Sequence, residues 1–209
     1  MLNMPPSDGS ALSNAFSQAL KRFGVPGAVF ACAEGERETV VVSGILSSST
    51  RTPVTRDSYF QIGSITKAYT ATLIHQLAAN NRLNLDEYVH SYLPEFARLS
   101  GTLHENVKLR HLLNHTSGID GDAFVDTGCG DDCVALFEKV AAGIGKLHEP
   151  GETFSYCNTG YVLAGRIIET ISGMYWHDAL REHILSPLGI STTLVLPEQV
   201  MRHPFAVGH

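Results

Sequence analysis

Positive charge is scarce and scattered in this 209-residue chain: 15 Lys and Arg stand against 21 Asp and Glu, for a formal net charge of -6. No basic stripe exists to neutralise phosphates, which argues against a nucleic-acid partner. Apolar runs all fall short of the roughly 20 residues that a membrane helix needs, so no membrane partner is expected. The N-terminus "MLNMPPSDGSALSNAF" has neither a basic start nor a continuous apolar stretch, so it does not read as a secretory leader. The expected compartment is cytoplasmic as written, or periplasmic or secreted if a leader was removed. Cysteine is sparse, at four residues. Cys129 and Cys133 in "CGDDC" suggest a small disulfide or half a metal site, and no second pair completes a zinc site.

Several catalytic signatures are missing as well. No Gly-x-Ser-x-Gly elbow occurs. His111 and His115 have the i, i+4 spacing of a helical metal pair, but Leu112 follows His111 where a His-Glu-x-x-His metalloprotease has glutamate. "GIGK" at 143–146 lacks the glycine spacing of a phosphate loop and reads as a helix end. No metal or organic cofactor is implied.

What is present is 44% hydrophobic and 17% charged, enough to form a core and too apolar for disorder. "SDGSALSNAFSQALKRFG" predicts a first helix capped by Ser7 or Ser10, with Leu12, Phe16 and Leu20 on one face. "GAVFACAEG" and "ETVVVSGI" predict a two-stranded hairpin. From Ser64 the period changes, and Ile65, Tyr69, Leu73 and Leu77 predict a long helix buried on one face. Further helices are expected in "NRLNLDEYVHSYLPEF" (capped by Asn84 or Asp86), "KLRHLLNHTSGI" (ended by Gly118), "DDCVALFEKVAAG", "NTGYVLAGRIIETISG" and "MYWHDALREHILSPLGI". The class is α+β, with strands evident only near the N-terminus. A lone hairpin makes a marginal sheet.

Two short motifs carry chemistry. In "FQIGSITKAYT", Ser64 and Lys67 are three residues apart at a helix start, so both side chains project to the same side. Serine there is also an ordinary cap, and lysine an ordinary surface residue. The apolar flanks argue for a half-buried setting, where the helix dipole favours a developing alkoxide and a desolvated lysine loses its proton more readily. A neutral amine could then act as base for the hydroxyl. In "ETFSYCNTGYVLAG", Asn158 could be a helix cap and Tyr156 a core aromatic. Alternatively the phenol moves protons and the carboxamide orients a substrate carbonyl and Lys67.

Each motif occurs once, in this order. With "VKLRHLLNHTSGI" between them, they make residues 12 to 196 resemble the serine β-lactamases of class C, the D-alanyl-D-alanine carboxypeptidases, the D-aminopeptidases and related esterases. The resemblance implies a β-lactamase/transpeptidase-like fold and a serine hydrolase working through an acyl-enzyme. The substrate would be a small acyl donor: a lactam, a D-amino peptide or a carboxylic ester. It implies Ser64 as nucleophile, Lys67 as proton acceptor, Tyr156 as general acid/base and Asn158 as the substrate-orienting group. "HTSGI" would be a structural turn.

The family's third motif, Lys-Thr-Gly or His-x-Gly, is absent from the chain. In the family its strand supplies one oxyanion donor, and loss of one donor costs about 2.7–4 kcal/mol. The expectation is therefore one domain over 1–209, incomplete at its C-terminus, with weak activity by itself. Self-association through the exposed sheet edge is expected too. The alternative is a penicillin-binding sensor without turnover, or an inert fragment, on the same scaffold.

Overall fold

The computed structural model describes residues 9–208, with side chains from residue 11 onward. Ser7, one of the two expected caps of the first helix, lies outside the described residues. The chain divides into two compact units, Met1–Ile62 with Leu194–His209, and Gly63–Thr193. No described helix is long and apolar enough to cross a membrane.

In the first unit α1 (Gly9–Phe23) packs on a hairpin of β1 (Gly27–Glu34) and β2 (Arg37–Gly44). The strands pair antiparallel from Gly27–Gly44 to Glu34–Arg37. Gly35 opens their two-residue turn at φ 61°, a conformation that glycine adopts without steric cost. Ser17 on α1 shares a hydrogen bond of 3.0 Å with Ser43 on β2, and the rings of Phe16 and Phe30 lie 6.3 Å apart. The end of the chain returns to this unit. Tyr59 N–H donates to the Pro204 carbonyl, and Ala206 and Val207 N–H donate to Tyr59 and Leu46.

The second unit is helical. Its centre is α7 (Asn158–Ser172), against which α2 (Thr66–Ala79), α5 (Leu109–Leu113), α6 (Cys133–Ala141) and α8 (Trp176–Leu180) all pack. Leu163, Ala164, Ile167 and Ile168 line the buried face of α7 and meet Leu73, Ile74, Leu109 and Leu112 in the core. Burying each such side chain contributes about 1.5–3 kcal/mol. Gly173 ends α7 in the left-handed conformation, φ 75°.

One buried ionic cluster ties four helices together. Arg166 of α7 donates to Glu138 of α6 at 2.8 Å and to Glu169 at 3.1 Å. The other Glu138 oxygen accepts the N–H of Phe96 in α4 (Pro94–Ser100), and the other Glu169 oxygen accepts that of Trp176. Both carboxylates are buried and fully partnered, as such charges must be.

Three expectations shift. The 84–96 segment is not one helix: Val89–Tyr92 and Pro94–Ser100 are separate, because Pro94 starts a new helix. Asn84 does not cap; its side-chain oxygen accepts the Asp86 N–H in a local turn. Third, α5 ends at Leu113, five residues before Gly118.

Candidate active site

Ser64 sits in a single 3-10 turn, Gly63–Ile65, immediately before α2. Gly63 has φ 53°, the left-handed region, which lets the chain turn sharply into the helix. Of the expected stripe, the buried face of α2 keeps Leu73 but leaves out Ile65. Ile65 is 63% exposed, whereas Thr70, Leu73 and Ile74 are buried, with Lys67 and Leu77 half-buried beside them. A strict four-residue repeat drifts around a helix of 3.6 residues per turn, while 67-70-74-77 stays on one face. Lys67 is therefore carried inward along the packing face.

Inward placement brings it to the second motif. Lys67 Nζ donates to Asn158 Oδ1 at 2.8 Å and to Ser64 Oγ at 3.2 Å. Tyr156 O–H donates to the same Ser64 Oγ at 2.7 Å. The ammonium also lies 4.7 Å from the Tyr156 ring centre and 5.5 Å from that of Tyr161, within cation–π range. All four side chains named from the sequence thus converge, and Ser64 and Tyr156 remain exposed to solvent. The phenol titrates below its ordinary value, owing to the Lys67 ammonium beside it and then to the Ser64 hydroxyl.

The backbone that presents Tyr156 and Asn158 is held closely. Asn158 is the first residue of α7 and not its cap. Cys157 caps the helix, its sulfur accepting the Gly160 N–H at 3.2 Å, which leaves the Asn158 amide free for Lys67. Burial pushes the Cys157 thiol pKa up, keeping it an uncharged acceptor. Thr159 donates to the Asp120 carbonyl at 3.0 Å. Gly121 packs so tightly that a Cβ would lie 2.6 Å from both the Tyr156 carbonyl oxygen and Cys157 Cα.

His115 is the residue whose place the sequence concealed. It is off α5, at φ 60°, so it shares no helix face with His111. Each imidazole instead accepts a different backbone N–H: Lys108 for His111 and Cys157 for His115. The "HTSG" turn was the only signal, and it marks a bend without saying what the ring meets. Cys129 and Cys133 are both free thiols.

Known proteins resemble this chain over nearly its whole length. The Beta-lactamase family model matches residues 12–209. Penicillin-binding protein 4 of Amycolatopsis lactamdurans is 41% identical over 98% of this chain and 54% of its own length. A D-amino acid amidase from Ochrobactrum anthropi SV3, solved with D-phenylalanine, superposes with a TM-score of 0.75 at 30% identity, over 92% of this chain and 55% of that one. A class C beta lactamase from Rhodobacter sphaeroides gives 0.73 at 28%, over 97% and 55%. The chain thus spans about half the length of these relatives. By a match over nearly its whole length and the fold it shares with these structures, the chain belongs to the beta-lactamase family.

Proposed function

We propose that this chain is a serine hydrolase acting through an acyl-enzyme on a lactam, a D-amino peptide or a carboxylic ester, with residues 1–209 working as one domain. One observation carries the reading. The exposed Ser64 hydroxyl is held at 2.7 Å by a phenol and 3.2 Å by an ammonium from motifs about ninety positions apart. A surface serine has no structural need of two such partners.

In the proposed sequence Lys67, which donates to both Ser64 and Asn158, supplies charge in place of its expected role as proton acceptor. Ser64 Oγ bonds to the acyl carbon while its proton passes to the Tyr156 oxygen, ionised beside Lys67. The depressed phenol pKa makes that ionised form more accessible near neutral pH. Lys67 compensates the charge on the phenolate and anchors Asn158, whose amide N–H faces a substrate carbonyl. The Ser64 backbone N–H stabilises the oxyanion. Collapse breaks the carbon–nitrogen or carbon–oxygen bond, and the leaving group takes the proton from Tyr156. Water then attacks the ester carbon along the reverse proton path and releases Ser64.

Activity of residues 1–209 alone is proposed to be low, since neither Lys-Thr-Gly nor His-x-Gly occurs among them. A second reading is favoured by the 41% identity to a penicillin-binding protein: a receptor that acylates without turnover. Intact-mass spectrometry after exposure to benzylpenicillin or a fluorophosphonate distinguishes the two. A transient adduct on Ser64 supports the hydrolase and a lasting one supports the receptor. Absence of any Ser64-dependent adduct refutes both. Pairing of two copies along the free hairpin edge is proposed as well; a monomer by light scattering at high concentration would refute it.

A further inference from the structure

His115 grips the residues on either side of Tyr156. Its carbonyl oxygen accepts the Ser155 N–H at 2.8 Å, and its ring Nδ1 accepts the Cys157 N–H at 3.0 Å. The ring between these two bonds lies against the phenol itself, with centroids 4.4 Å apart and planes tilted by 30°. Tyr161 of α7 flanks it at 5.2 Å and Phe154 meets it edge-on at 5.6 Å. His115 makes both bonds from a backbone at φ 60°, a conformation costly for a residue with a Cβ.

We infer that His115 is a positioning residue for Tyr156, a neutral imidazole clamp that sets where the phenol stands and releases it on protonation. The inference rests on the reading in which Tyr156 carries the Ser64 proton. To accept the Cys157 N–H, Nδ1 must be unprotonated, so the clamped ring is neutral with its hydrogen on Nε2. An imidazolium would oppose N–H to N–H and break the clamp on the Cys157 side. The titratable and charged groups facing the ring are Lys67 from α2, Tyr156 from the preceding loop and Tyr161 from α7. Burial first, and then the Lys67 charge, hold the imidazole pKa below its ordinary value, so the clamp is closed at neutral pH and opens only in acid.

The test compares the wild-type chain with His115→Phe, which keeps an aromatic ring but no acceptor, and His115→Asn, which tolerates the left-handed backbone. Three readouts are taken. Nitrogen-15 NMR reports the ring tautomer and its titration, tyrosinate absorbance (against Tyr156→Phe) reports the phenol, and the pH profile of Ser64 acylation by benzylpenicillin reports the chemistry. The expected result is a neutral Nε2–H tautomer persisting below pH 6.5, the ordinary imidazole value. The phenol titration should move in both variants. Acylation should fall about a hundredfold in kcat with little change in KM, as about 1 Å of misplacement would cause. Below the imidazole pKa the wild-type log rate should fall with a slope of two, and that of each variant with a slope of one.

A wild-type chain that acylates, with variants unchanged in phenol titration and acid slope, overturns the clamp. So does a ring found protonated on Nδ1. A chain never acylated on Ser64 refutes the hydrolase reading instead, and a phenol titration that still follows His115 then keeps the clamp. Thermal midpoints of both variants separate loss of folding from loss of positioning.

Discussion

Removing Lys67 tests the proposed proton path directly. The ammonium is shared among Ser64 Oγ, Asn158 Oδ1 and the face of Tyr156, and it is the first cause of the depressed phenol pKa. In Lys67→Ala the Asn158 carboxamide loses its 2.8 Å donor, and the phenol is released towards its ordinary value of 10.0. If the phenolate is the base, acylation rises with pH through the Tyr156 pKa, so losing Lys67 moves that rising limb to higher pH. At neutral pH the fraction of phenolate falls, and the loss of acid–base assistance is about 10²–10⁴ in rate, or about 3–5 kcal/mol of barrier. The assay is the pseudo-first-order rate of Ser64 adduct formation with a β-lactam between pH 6 and 10, followed by intact mass. Lys67→Ala, Tyr156→Phe and the double variant form a cycle. Because the two groups act on one proton, the double variant should be little worse than either single one. A rate lowered in Lys67→Ala with its limb unmoved, or effects that simply add, would refute a shared Lys67–Tyr156 path.

Gly121→Ala places a methyl 2.6 Å from the backbone that carries Tyr156; the strain should cost about 1–3 kcal/mol of stability by urea titration and lower acylation more than tenfold. Arg166→Ala strips the partner from two buried carboxylates, and unfolding should show about 3–5 kcal/mol of destabilisation. His104 is buried against Phe96, its ring nitrogen sharing a hydrogen bond with the Ile144 carbonyl. Burial lowers its pKa, so the unfolded chain binds the proton more readily and stability is full above pH 6.5, then falls as the pH drops below it. His104→Phe should flatten that acid slope in a series of denaturant melts at different pH values.

Local chemistry alone defined much of this molecule. The strands Gly27–Glu34 and Arg37–Gly44 follow from an apolar run and a valine-rich one broken at a Gly-containing turn, and α7 follows from its apolar period and terminal Gly173. The i, i+3 spacing of Ser64 and Lys67 was likewise enough to put them on one side of a short span. None of this fixes what Lys67 meets. Its partner Asn158 lies 91 positions on, and Tyr156 lies 92 positions on from the Ser64 that both of them touch. The Cys157 cap that frees Asn158 and the His115 ring 42 positions before it depend on tertiary contact in the same way. Helix periodicity gives a face only to within the drift of its repeat, and a four-residue repeat turned that face towards Ile65. Packing of α2 on α7 instead buries Thr70, Leu73 and Ile74 and leaves Ile65, ahead of the helix, exposed. Sequence determined which groups are available for chemistry; the fold decided which of them touch.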